Sequence, residues 1–102
     1  MARIAPAELS ALLRSEVRPT VLDVRTLDRR IASGWIPDSI PAPDVGGLEM
    51  PRETVIVTYC DCPHDASAAV AARRLKELGY TKVRPLAGGV DAWRDAGLPL
   101  TS

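Results

Sequence analysis

The chain has 102 residues, 46% hydrophobic and 25% charged, which is enough for one small domain with one core and too short for two. Thirteen basic side chains balance thirteen acidic ones, so no net field gathers nucleic acid or anionic lipid, and no apolar stretch reaches the length of a membrane span or a signal-peptide core. The expectation is a monomeric, cytoplasmic single domain over residues 1–102, with no nucleic-acid or membrane partner.

Pro6 suits a first helical turn, and Leu9, Leu12 and Leu13 recur at helical spacing toward Glu16, which predicts a short amphipathic helix. Residues 20–24 form a β-rich run ending in charge. Thr26 then stands as an N-cap, Leu27 and Ile31 lie four apart, and Gly34 is a stop, so a strand feeds a short helix. The proline-rich segment from Trp35 to Arg52 allows only a two- or three-residue strand around Ser39 and Ile40. Residues 54–59 are the most β-prone part of the chain and apolar on both faces, as a central parallel strand requires. A long helix follows, with Ala68, Ala71, Ala72, Leu75 and Leu78 on its apolar side and Gly79 as its end. Val83 to Leu86 gives a last strand, Gly88 and Gly89 a turn, and Val90 to Ala96 a final short helix carrying Trp93. Strand and helix alternate, which predicts an α/β domain with a mostly parallel sheet.

In such sheets ligands gather beyond the carboxyl ends of the strands. Cys60 falls there, where the most apolar strand turns into the N-terminus of the longest helix. Unpaired backbone N–H groups and the positive end of the helix dipole favour a thiolate or a persulfide at such a place. The plainer alternative is a buried small apolar residue, a common fate of free cysteine.

Three segments together resemble the rhodanese family of sulfurtransferases, over nearly the whole chain from Ile4 to Leu100. The first is the strand end Asp23, Val24, Arg25 with Gly34, Trp35, Ile36 and Pro37 shortly after, where Trp35 and Asp38 stand in place of the family's usual His and Gly. The second is Val55 to Cys60 followed by an alanine-rich helix. The third is Leu86-Ala-Gly-Gly-Val-Asp-Ala-Trp93, preceded by Gly79 and Tyr80. The resemblance implies a small rhodanese-like α/β fold with a mostly parallel central sheet of about five strands and helices on both faces. It also implies that Cys60 accepts a sulfane sulfur from thiosulfate or another persulfide and passes it to a thiol or cyanide, with no cofactor. The partners so implied are a small-molecule or protein sulfur donor and a thiol acceptor.

The active-site loop would comprise Asp61, Cys62, Pro63, His64, Asp65, Ala66 and Ser67. It is one residue longer than the loop it resembles and holds two acids and no permanent cation. Dianionic thiosulfate would therefore meet repulsion of about 1 kcal/mol or more per carboxylate at an effective dielectric of about 20, which predicts poor thiosulfate use. Cys62 is open to three readings: a packing residue beside Pro63, a redox partner of Cys60 two residues away, or, with Cys60 and His64, part of a metal cluster that has no fourth ligand. His64 reads as a solvent-facing loop residue in preference to a general base. Asp23 and Arg25 read as a positioning pair supporting the site. Trp93 reads as core, while Trp35 is either shelter for a loop or a wall of the pocket. Two other functions compete: a rhodanese-like binding or regulatory module without catalysis, and a phosphatase or arsenate-reductase relative, which would need a loop arginine that residues 61–67 lack.

Overall fold

The computed structural model describes residues 2–102. Helix α1 (Pro6–Leu13) begins with Pro6 in its first turn, where a missing N–H costs nothing. Strand β1 (Thr20–Asp23) leads to α2 (Leu27–Ser33), capped by the Thr26 hydroxyl and ended at Gly34, whose φ is 79°. Strand β2 is the dipeptide Ile40–Pro41, and β3 spans Val55–Tyr59. Helix α3 (Ala66–Glu77), β4 (Lys82–Pro85) and α4 (Gly89–Asp95) complete the fold.

The strands lie in the order β2-β1-β3-β4, and every pair is parallel. The expected fifth strand is one residue wide. Ile4 forms a parallel bridge to Leu86, donating to the Pro85 carbonyl at 3.0 Å and accepting from the Ala87 N–H at 2.9 Å. Pro6 starts a helix two residues later and has no N–H with which to extend a ladder.

Because side chains alternate across a strand, the sheet builds two cores. Val21, Val57 and Tyr59 face one way and pack with Leu9 of α1 and Val90 and Trp93 of α4. Leu22, Ile56 and Val83 face the other way and pack with Ala71, Ala72 and Leu75 of α3. The buried alanines let α3 approach the sheet closely, and the Thr58 hydroxyl donates to the Ala68 carbonyl at 2.9 Å. This bond ties the first turn of α3 to the strand that ends at Cys60.

Helix α2 is inverted relative to its sequence pattern. Leu27 and Ile31, whose four-residue spacing marked the short helix, are 54% and 70% exposed, whereas Arg30 is buried. The reason is the fully buried Asp23. Its Oδ1 accepts from Arg25 Nε at 2.9 Å, and its Oδ2 accepts from Arg25 Nη2 at 2.7 Å, Arg30 Nη1 at 3.1 Å and the Tyr59 hydroxyl at 3.0 Å. Arg30 also donates to the Ser39 carbonyl and stacks 4.9 Å from the Trp35 ring centre. Arg25 donates to the Gly34 carbonyl at 2.7 Å. One carboxylate thus joins β1, α2, β3 and the loop from Gly34 to Ser39, and Asp23 and Arg25 are paired with each other, with Arg30 and Tyr59 added to the pair.

Asp23→Ala is expected to cost about 3–5 kcal/mol, because it leaves two buried guanidinium groups without their counter-charge. Urea unfolding followed by circular dichroism measures it, and a loss under 1 kcal/mol would show that the cluster is no more than a surface-type pairing.

Candidate active site

Cys60 is the residue after β3 and is 1% exposed. Its carbonyl accepts from the Val90 N–H at 3.0 Å. That approach requires Gly89, at φ +59°, since a Cβ there would stand 2.2 Å from the Cys60 carbonyl oxygen. The glycine pair of the third sequence segment therefore fixes the peptide that leaves the cysteine.

Beyond Cys60, Pro63–Asp65 make a single 3-10 turn before α3 begins at Ala66. His64 and Asp65 both have φ 57°, a conformation that costs non-glycine residues of order 1–3 kcal/mol each. Outside contacts hold them in it. Arg3 Nη2 donates to the His64 carbonyl at 3.1 Å, Arg3 Nε pairs with Asp65 at 3.4 Å, and the Gly88 N–H donates to Asp65 at 3.2 Å. The His64 side chain is exposed, as expected, and Ala66 and Ser67 are exposed at the start of α3. Asp65 is buried against Arg3, against the expectation of a surface acid facing the substrate.

The two cysteines meet. Cys62 Sγ lies 3.0 Å from Cys60 Sγ and 3.1 Å from Ser67 Oγ. Burial pushes the Cys60 thiol up to about 11, with the Cys62 sulfur adding to the shift and the N–H groups of Cys62 and Ala68 only partly opposing it. The N–H cradle inferred from the sequence is present, but burial outweighs it, so the expected resting thiolate at Cys60 is corrected to a thiol. For Cys62, burial acts upward but is overcome by hydrogen bonds from the Ser67 hydroxyl, the Cys60 thiol and the Ser67 N–H, so its pKa falls. Of the two thiols, Cys62 gives up its proton first.

A cleft of about 350 Å³ opens over these sulfurs, walled by the loop and by Val24, Arg25, Thr26 and Arg29 from the turn between β1 and α2. Trp35 does not line it, because it is drawn against Arg30. Arg25 Nη1 is the one buried side-chain polar atom among the described residues without a hydrogen-bond partner. Arg29 supplies the cation missing from the loop: it is 66% exposed and pairs with Asp61 at 3.1 Å. Asp61 pairs with Arg29 and Asp65 with Arg3, so neither carboxylate stands free of a counter-charge as the loop segment alone suggested. Nothing in the sequence marked Arg29 beyond its place in the first turn after the Thr26 cap, since its role depends on α2 lying over the loop.

The profile of the rhodanese-like domain matches residues 5–96. The chain belongs to the rhodanese-like family. This rhodanese-like domain is 34% identical over 86 residues to a sulfurtransferase of Allochromatium vinosum, a match covering 80% of this chain and 78% of the relative. Its fold superposes with TM-score 0.82 and 31% identity on a thiosulfate sulfurtransferase from Pseudomonas aeruginosa, over 99% of this chain but only 20% of that longer protein. The polysulfide-sulfur transferase homodimer of Wolinella succinogenes aligns at TM-score 0.77 and 25% identity, over 98% of this chain and 77% of that one. No helix among the described residues is long and apolar enough to cross a membrane.

The split of the sulfur pair sets the order of alkylation. At neutral pH iodoacetamide is expected to label Cys62 at least about tenfold faster than Cys60, as each unit of pKa separation is a factor of ten in thiolate. The Cys60 rate should rise only as the pH climbs toward about 11. Peptide mass mapping across pH checks this, and equal labelling at neutral pH would contradict the split.

Proposed function

We propose that this rhodanese-like domain, acting as one unit over residues 1–102, is a cytoplasmic sulfurtransferase that carries sulfane sulfur as a persulfide on Cys60. The observation that carries the reading is the buried Cys60 sulfur at the end of β3, in a cleft, with N–H donors at its side and Cys62 3.0 Å away to take its proton. The sulfurtransferase relatives support the reaction class.

With thiosulfate as donor, Cys62 receives the Cys60 proton and the Cys60 sulfur attacks the outer sulfur. The S–S bond of thiosulfate breaks, sulfite leaves with the electron pair, and Cys60 becomes a persulfide anion held by the loop N–H groups. An acceptor thiolate or cyanide then attacks the terminal sulfur, and Cys60 leaves as the thiolate and recovers its proton. Arg29 meets the donor's negative end by exchanging Asp61 for it, which makes thiosulfate a usable donor. Asp23, Arg25 and Arg30 hold the far wall of the cleft, and act by positioning.

Cys60→Ser is expected to abolish transfer from thiosulfate to cyanide while leaving the unfolding midpoint unchanged. Recovery of the sulfane sulfur on Cys62 in the wild-type protein would overturn the assignment of the carrier. Arg29→Ala removes an exposed pairing worth about 1 kcal/mol, so KM for thiosulfate should rise about fivefold with little change in kcat. A neutral organic persulfide as donor should show no such rise.

A further inference from the structure

The Cys60 persulfide reading leaves unexplained why a second thiol, paired to Ser67, touches the carrier sulfur at 3.0 Å. A general base need not be a sulfur. Attack of one sulfur on another needs the two atoms at about 3–3.5 Å, and the two cysteines already stand there. Resting on the proposed function, we propose that Cys62 is a resolving nucleophile, which in the absence of an external acceptor displaces the carried sulfur from Cys60 as hydrogen sulfide.

The step balances within the loop. After sulfur uptake the loop holds the persulfide anion on Cys60 and the proton on Cys62. That proton passes to the terminal sulfur and the Cys62 thiolate attacks Cys60 Sγ. The bond between Cys60 Sγ and the terminal sulfur breaks, a Cys60–Cys62 disulfide forms, and HS⁻ leaves with the proton and the electron pair. The sulfane sulfur is reduced by two electrons and the two cysteines are oxidised by two. A dithiol reductant from solution then restores the thiols, and a disulfide closed across so short a loop is readily reduced.

Three features of the loop suit Cys62 to this step. Its pKa lies below that of an ordinary thiol, which raises the thiolate fraction near neutral pH. The Ser67 hydroxyl holds its sulfur on the side of Cys60. Cys62 and Pro63 both line the open cleft, so a dithiol can reach the disulfide from solvent. The outcome is a second activity, in which the domain reduces sulfane sulfur to sulfide at the expense of a dithiol, in addition to passing it intact to an acceptor.

The test is a single turnover of the full chain with thiosulfate in the absence of any thiol or cyanide, followed by free-sulfide assay and intact mass. Wild-type protein is expected to release about one sulfide per chain and to end two hydrogens lighter, with the disulfide mapped to the peptide holding Cys60 and Cys62. The rate should not depend on protein concentration, because the attack is intramolecular. Cys62→Ser, or Cys62→Ala should the serine variant fold poorly, lacks the base and is loaded more slowly, so it is incubated with thiosulfate until its mass shows one added sulfur; once loaded it should release no sulfide and should keep that mass until an acceptor thiol is supplied. Wild-type protein that also keeps the added sulfur, or releases sulfide at a rate rising with protein concentration, overturns the resolving role and leaves the persulfide reading standing. If neither protein gains sulfur from thiosulfate or from inorganic polysulfide, the carrier reading fails and this proposal fails with it.

Discussion

A single carboxylate in the interior sets the geometry of the whole molecule. Asp23 is fully buried at the end of β1, and charges are not left alone in such places. Two guanidinium groups and a phenol converge on it. Arg30 is drawn inward by this need, which turns α2 so that Leu27 and Ile31 face solvent and Arg29 faces the cysteine loop. Tyr59 is drawn to the same point, and its hydroxyl also accepts from the Ile36 N–H at 3.2 Å. The loop between α2 and β2 is thereby stitched to the strand that ends at Cys60. The rotation of α2, the absence of Trp35 from the cleft and the cation over the loop all follow from one desolvated charge.

The reactive loop itself is governed by the balance between burial and hydrogen bonding. At Cys60, the fold supplies donors to the sulfur and withdraws water from it, and the withdrawal is the larger effect on the thiol. At Cys62, burial is slighter and the donors win. Two chemically identical groups two residues apart are thus shifted in opposite directions, and each supplies what the other lacks: one is buried in the cradle, the other ionises more readily. The balance explains how a nucleophile can be sheltered from solvent oxidants and still be activated when a donor arrives.

Much of this was legible in the sequence, for reasons that differ by element. The strand ending at Cys60, the alanine face of α3 and the caps at Thr26 and Gly34 follow from local propensity and periodicity, and they appear where those rules place them. The buried pairing of Asp23 with Arg25 was readable from charge at a strand end. The phase of α2 was not, because Leu27 and Ile31 four apart mark a helix without fixing which face is buried, and that is decided by Arg30 satisfying a buried carboxylate of β1. The charge state of the loop was misjudged for a similar reason. Counting residues 61–67 finds two acids and no cation, yet Arg3 and Arg29 arrive from distant parts of the chain to neutralise them. Local rules describe segments, whereas counter-ions come from the tertiary fold.

The contact between Gly89 and the Cys60 carbonyl also bears on how the molecule is assembled during synthesis. The peptide that leaves Cys60 is held by the Val90 N–H, and Asp65 at the far end of the loop is held by the Gly88 N–H. Both donors lie after β4, so a nascent chain that has emerged only through α3 contains every residue of the loop, with Arg3 and Arg29 that pair with it, but not these two contacts. Until the last helix docks, the Cys60 carbonyl and the Asp65 carboxylate lack these two donors, although the N–H groups of Cys62 and Ala68 and the Ser67 hydroxyl are already in the chain. The final segment therefore supplies the last fastenings of a loop whose residues are made well before it.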